Sequence, residues 1–408
     1  MRRRSVPGGV LAITAGLLVL SACGGSPSVS ASGSPSPSES GSLNVLPGGL
    51  AKSSPVGRGE GQLNVLAWPG YAEGGSNIPA VDWVTDFEKS TGCKLNVRTI
   101  GNSDEAVSLM QAGGWDVVSA SGDAALRLIR DDVIQPLNTD LIPNFADVYA
   151  DLKGKSFNTI DGVSYGVPQG RGANILMWNT QKVATPPDSW SLVFNEDSPY
   201  RGEVTAYDSP IYIADAAVYL MATRPELGIT NPYSLDTEQF DAAISLLEQQ
   251  KELVGEYWSD YARTVGNFVS GTTAVGSAWQ VILSLAERQG GNVAAIKPKE
   301  GATGWSDTWM IAKGSSHVNC AYMWLDHVIS PEVNAAASEW FGQAPANSKA
   351  CAFTTDKNFC DVFHASDSEY WKDVYYWTTP TASCLDGRSD VQCAPWSEWV
   401  SAWSRLRS

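Results

Sequence analysis

The sequence predicts an α/β protein of two lobes, each a mixed, mostly parallel sheet with helices on both faces, joined by two hinge crossings. Three observations carry this expectation. From residue 62, short apolar strands alternate with amphipathic stretches, the βαβα order that builds a parallel sheet. A second set of strand and helix signals begins near residue 168. Near residue 305 the strand and helix pattern starts again. The chain therefore leaves one lobe, builds another and returns. The expected division is 62–167 with 305–408 for lobe 1 and 168–304 for lobe 2. About 350 folded residues suffice for two ordinary cores.

The leading segment sets the compartment. Arg2, Arg3 and Arg4 precede an apolar run over residues 10–20, then Leu20-Ser21-Ala22-Cys23. A basic start, a short apolar run and small residues before the cleavage point make residues 1–22 a secretory signal. The run is too short for an ordinary membrane-spanning helix. The box before Cys23 resembles that of bacterial lipoproteins, where the Cys is lipidated and becomes the new N-terminus. Residues 23–61 are rich in Ser, Gly and Pro and cannot bury enough surface to fold, so they read as a flexible tether.

In lobe 1, residues 63–68 read as a strand ending at Pro69-Gly70. Ile78, Val81, Val84 and Phe87 follow at helical spacing. Residues 95–100 alternate as a strand, and Ser103-Asp104-Glu105 opens a helix carrying Val107, Leu109 and Met110. Residues 116–119 form a buried strand, and Ser121-Gly122-Asp123 precedes another helix. In lobe 2, residues 174–178 and 203–207 are strands, the latter closing at Asp208-Ser209-Pro210. Phe240, Ile244 and Leu247 share a helix face. Residues 273–278 run as a strand into Trp279-Gln280. Past Asp307, a strand and helices over 320–329 and 332–341 complete the return. Trp396, Trp399, Trp403 and Leu406 form a helical stripe suited to packing.

Composition narrows the function. The chain has 28 Lys+Arg against 44 Asp+Glu, which argues against nucleic acid as a partner. Sixteen Trp and 14 Tyr supply rigid flat walls of the kind a binding cleft needs, though core packing also consumes them. Apart from Cys23, six Cys remain: Cys93, Cys320, Cys351, Cys360, Cys384 and Cys393. An even number outside the cytosol suggests three disulfides. Six cysteines allow fifteen pairings; nearness in the chain favours Cys351 with Cys360 and Cys384 with Cys393, leaving Cys93 with Cys320. No Cys-x-x-Cys is present and there are only 3 His, so neither a metal site nor a cofactor is expected.

The stretch Trp305-Ser306-Asp307-Thr308-Trp309 places an acid among indoles. If residues 307–312 form a strand, alternation sends Trp305, Asp307 and Trp309 to one face and Ser306 and Thr308 to the other. A carboxylate beside aromatic faces suits an organic cation. Ligands of open α/β sheets sit beyond the carboxyl ends of strands. Trp68, Tyr71, Ser121, Asp208, Trp279 and Gln280 all fall at such ends. Each also has a plain structural role: Trp68 as core, Asp208 as a turn former, Asp307 as a cap for local amides. Asp123 reads better as a helix N-terminal residue than as a ligand contact.

These marks resemble the spermidine/putrescine-binding proteins of bacterial ABC importers, over roughly residues 62–345. The marks are Trp68-x-x-Tyr71, Thr205-Ala206-Tyr207-Asp208, Ala278-Trp279, Pro298-Lys299-Glu300-Gly301 and Trp305-Ser306-Asp307. The resemblance implies a two-lobed periplasmic binding protein of type II character, monomeric, tethered through Cys23 outside the cell membrane. It implies a small cationic solute, a polyamine, and an ABC permease as partners. By the same match Asp208 and Asp307 are the ammonium partners, Trp68, Tyr71, Trp279 and Trp305 the walls, and Gln343 stands where the family often carries an aromatic. Ile211 departs from the pattern, which usually has Glu three residues after the Asp. A diamine, a monocation, a betaine or a sugar is the alternative ligand. A secreted carboxylate-dependent hydrolase is the rival class, but no Gly-x-Ser-x-Gly, Ser-x-x-Lys or His-Glu-x-x-His motif supports it.

Overall fold

A computed structural model describes residues 54–408 except Asn77. The expected signal at 1–22, the lipidation site Cys23 and most of the tether lie outside the described residues. Among the described residues no helix is long and apolar enough to cross a membrane.

The first lobe is built on strands β1 (Gln62–Ala67), β2 (Lys94–Thr99) and β3 (Val117–Ala120). β1 pairs in parallel with both β2 and β3. Helices at Val84–Thr91, Ser103–Ala112 and Gly122–Arg130 cover this sheet. The expected helical reading from Ile78 is shortened at its start. Pro79 interrupts it, Ile78 is exposed, and the Asp82 carboxylate accepts the Thr85 amide at 2.9 Å just before the helix proper. A hairpin of β4 (Thr159–Ile160) and β5 (Val163–Ser164) follows, then β6 (Val167–Pro168).

The second lobe is organised around β7 (Gly170–Asn179), a ten-residue strand buried along nearly all its length. Its neighbours are β8 (Val204–Tyr207), β9 (Val254–Trp258), β10 (Val275–Trp279), β11 (Val293–Ile296) and β12 (Ala302–Trp305). β8 pairs in parallel with β9 and β10, whereas β10, β11 and β12 run antiparallel to β7. Helices at Ile213–Thr223 and Thr237–Lys251 pack together over it. A reciprocal cap between Asp236 and Gln239 starts the latter.

The return to the first lobe is made by β13 (Thr308–Ile311), which lies antiparallel to β3 and β6 and completes the order β2-β1-β3-β13-β6. The two crossings, at 168–170 and 305–308, run side by side. The Gln169 amide donates to the Asp307 carbonyl at 2.8 Å, and the Ser306 hydroxyl to the Gly170 carbonyl at 2.8 Å. The strand expected over 307–312 forms as Thr308–Ile311, but Trp305 ends a strand of the other sheet, so the alternation does not carry back to it. Trp309 enters the first-lobe core, edge-on to Trp324 at 5.6 Å, while Trp305 packs in the second-lobe core.

The C-terminal part corrects the expected division. Helices Val318–Val328 and Pro331–Phe341 do pack in the first lobe. From there β14 (Ala344–Pro345) pairs with β7, and β15 (Val374–Tyr376) adds to β12 in the second-lobe sheet. The last helix, Trp396–Arg407, buries Trp399, Trp403 and Leu406 in the second-lobe core. Assigning all of 305–408 to lobe 1 therefore fails; sequence order said nothing about which sheet edge the tail would find.

Disulfides join Cys93 to Cys320, Cys351 to Cys360, and Cys384 to Cys393. The first ties β2's approach to helix Val318–Val328. Gly57 and Glu60, expected to lie in the tether, are bonded to the folded body. The Glu60 carboxylate accepts the Asn319 and Cys320 amides at 2.9 and 2.8 Å, capping that helix, and the Gly57 amide donates to the Asn319 side chain.

Candidate functional site

Where β1, β3 and β13 turn toward the crossings, four side chains join in one network. The Ser121 hydroxyl donates to Asp307 Oδ1 at 2.5 Å, and the Tyr71 hydroxyl lies 2.7 Å from Asp307 Oδ2 and 2.8 Å from Gln343 Oε1. Each arrives by a local cause. Tyr71 follows the turn after β1, closed by its amide on the Trp68 carbonyl at 3.1 Å. Ser121 caps the end of β3 before helix Gly122–Arg130. Asp307 sits on the return crossing, and Gln343 follows Gly342, whose φ of 86° ends helix Pro331–Phe341. Asp307 is only 4% exposed. Burial pushes its carboxyl above the ordinary aspartate value, against the two hydroxyl bonds that favour the charge. Burial and the Asp307 charge likewise push the Tyr71 phenol well up.

Rings connect this network to the second lobe. Tyr71 meets Phe341 at 4.6 Å, Phe341 meets Trp305 at 5.7 Å, and Trp305 meets Trp279 at 6.1 Å. Trp305 needs Gly172 opposite it: a Cβ there would come within 2.5 Å of the indole. Trp279 is oriented by its N–H on Asn174 Oδ1 at 3.0 Å. Asn174 and Thr303 in turn donate to Asp215, a buried carboxyl pushed up to about 7 by desolvation. The indole N–H groups of Trp68 and Trp305 and the Gln343 amide nitrogen are buried without a hydrogen-bond partner. The Trp68 amide donates to the Ser119 hydroxyl at 3.1 Å.

Of the expected site residues, Tyr71, Ser121, Trp279, Trp305, Asp307 and Gln343 belong to this chain of bonds and rings, and Trp68 opens the turn that leads to Tyr71. Asp208 is the exception. Its carboxylate accepts the Trp403 indole N–H at 3.1 Å and pairs with Arg407 at 3.0 Å, both on the C-terminal helix. Its charge is committed to that helix, so the expected role as second ammonium partner is withdrawn. The cause is the tail, whose docking on the second lobe brings a guanidinium to the end of β8.

Three further residues lie near this network: Asp123, which the sequence assigns to a helix start, Tyr207, quoted only within a resemblance mark, and Trp377, which the sequence does not single out. Asp123, 5% exposed, lies within electrostatic reach of Asp307, and burial raises its carboxyl to about 6. Tyr207 is a partly buried phenol pushed up by desolvation and then by the charges of Asp123 and Asp307. Its ring packs on Trp258 and Trp279 and stacks on Trp377 at 5.7 Å and 10°. Trp377 leaves β15 and passes so close to Gly122 that a Cβ there would fall 1.7 Å from the Trp377 carbonyl. A Gly-Asp pair at a helix start and a Tyr just before an Asp were the only available signals.

Residues 82–359 match the bacterial extracellular solute-binding protein family. The chain belongs to that family. As a member of it, the protein works outside the cytoplasm and binds a solute. It is 27% identical over 282 residues to a putrescine/agmatine-binding protein of Pseudomonas aeruginosa, covering 65% of this chain and 74% of the relative. It is similar in fold to the spermidine/putrescine ABC transporter substrate-binding protein PotD of Streptococcus pneumoniae. That match has a TM-score of 0.65 and 18% identity over 85% of this chain and 97% of the other. The Atu4243-GABA receptor gives a TM-score of 0.61 at 18% identity, covering 85% and 95%. Among the described residues no group of three or more His, Cys, Asp or Glu is placed to hold a metal.

Proposed function

We propose that this solute-binding protein captures a polyamine-like cation, such as putrescine, and delivers it to an ABC permease in the cell membrane. The observation that carries the reading is Asp307, a buried carboxylate with no cationic side chain among the described residues bonded to it, held by two hydroxyls and flanked by rings from both lobes. A buried charge without a partner is costly, and an ammonium supplied by the ligand would remove that cost. The rings of Trp68, Tyr71, Trp279 and Trp305 would line the methylene chain and attract its charged end. The names of the relatives support the same class of ligand. A ligand bridging both lobes favours their closed arrangement, the form a permease would receive.

The receptor is monomeric, returns its ligand unchanged and is tethered by lipid on Cys23. Titration calorimetry with putrescine, cadaverine, spermidine, glycine betaine and maltose tests the ligand class. Saturable binding of an amine, recovered intact by chromatography, is expected. Binding only to the sugar, or conversion of the amine to a product, would remove the reading. Cys23→Ser should release the protein from the membrane fraction.

A further inference from the structure

The match to the solute-binding family stops at residue 359, and the chain beyond it touches both lobes. On the second lobe it is fixed at two places. At the first, β15 pairs with β12, the Trp377 amide donates to the Gly304 carbonyl at 2.7 Å, and the Tyr233 hydroxyl donates to the Tyr375 carbonyl at 2.8 Å. At the second, Arg388 pairs with Asp236 at 2.6 Å, and the Ala394 amide donates to the Leu235 carbonyl at 2.8 Å. The helix Trp396–Arg407 then packs in the second-lobe core.

Along the same stretch the chain meets helix Gly122–Arg130, whose apolar face is packed in the first lobe. The Thr379 hydroxyl donates to the Asp123 carbonyl at 2.7 Å, and both residues are buried. The Trp377 carbonyl lies against Gly122, where a Cβ would fall 1.7 Å from it, so the approach needs glycine. Arg127 stands over the Trp396 ring at 5.9 Å. All three contacts join atoms of the chain to one another, so none of them needs a solute. A counterweight is built in. The Trp377 indole N–H and the Thr378 hydroxyl are buried without a partner among the described residues, a cost that an opening which wets them would recover.

We propose that residues 377–396 form a strap that holds the two lobes shut on one side before any solute arrives, and that release of the strap gates entry. A strap of this kind favours the closed arrangement whether the cleft is empty or filled. Weakening it costs the empty and filled closed forms alike. Entry and exit then both quicken, while affinity holds.

The test uses the full chain with three substitutions: Gly122→Ala as a wedge, Thr379→Val as a loss of one bond at nearly constant shape, and Asp86→Asn as a surface control. Circular dichroism and thermal unfolding verify that each variant is folded. Small-angle X-ray scattering in solute-free buffer should give a larger radius of gyration for Gly122→Ala than for the wild type, a smaller rise for Thr379→Val and none for the control. Equal radii in the folded variants would overturn the strap. Stopped-flow binding of putrescine to Thr379→Val should show association and dissociation both about fivefold faster, with affinity within about twofold of the wild type. A loss of affinity of about fivefold with unchanged association would mean that the strap engages only after capture, and would overturn closure in advance. The scattering measurement contains no amine, so failure of putrescine to bind would count against the amine reading and leave the strap to be decided by the radii.

Discussion

Asp307 and Asp208 mark the two sides of the meeting between lobes, and their surroundings are opposite. Asp307 is sealed from water among Tyr71, Ser121 and aromatic rings, with hydroxyls as its bonded partners. Asp208 is about a third exposed and already neutralised by Arg407 and the Trp403 indole. One carboxylate is held in readiness for a positive charge; the other has been used to dock a helix. Two acids at comparable strand ends thus serve recognition and packing, and only the origin of the nearest cation separates them.

The sharpest way to break this contrast is to neutralise the first acid. Asp307→Asn should lower amine affinity about 100-fold, the ~3 kcal/mol scale of an interrupted buried charge pair. Calorimetry giving equal affinities would end the distinction drawn here. Trimming the opposing wall comes next. Trp279→Leu keeps an apolar surface but loses the quadrupole, so a loss of roughly 0.5 to 2 kcal/mol in binding is expected, read by the same titration.

A third prediction concerns the support beneath that wall. Asp215 has an ordinary value of 3.8 and stands at about 7 when folded. Between these values the folded protein holds a proton that the unfolded chain has released. Its contribution to stability is therefore complete below about pH 3.8 and is lost as pH rises through about 7. Asp215→Asn should flatten that part of the stability profile, measured by denaturant unfolding at several pH values. An unchanged profile would show that Asp215 does not titrate in this range.

The smallest effect belongs to the second acid. Asp208→Asn should leave amine affinity within about twofold and cost about 0 to 1 kcal/mol of stability, as expected for a partly exposed ion pair. A large loss of affinity would return Asp208 to the binding site.

Much of this was readable from local pattern. Periodicity located β1, β2, β3 and the helices that follow them, and Cys count with chain proximity anticipated the three disulfides. That Tyr71, Trp279, Trp305 and Asp307 would meet near the crossings was legible because strand ends and aromatic neighbours are local features. Asp123 reads from sequence as an ordinary helix start, and only folding brings it within electrostatic reach of Asp307. Asp208 was misread for the converse reason. Its partner Arg407 lies 199 positions away, and no window of sequence contains both. The tail's allegiance to the second lobe was hidden likewise, since a stripe of Trp announces burial but not against what.

The clip at the start of the folded body has a mechanical consequence. Glu60 grips the start of helix Val318–Val328 beside the Cys93–Cys320 bond, and Gly59 could not carry a Cβ without striking that sulfur pair. Force applied to the leading end therefore enters the first lobe at a covalently stapled corner.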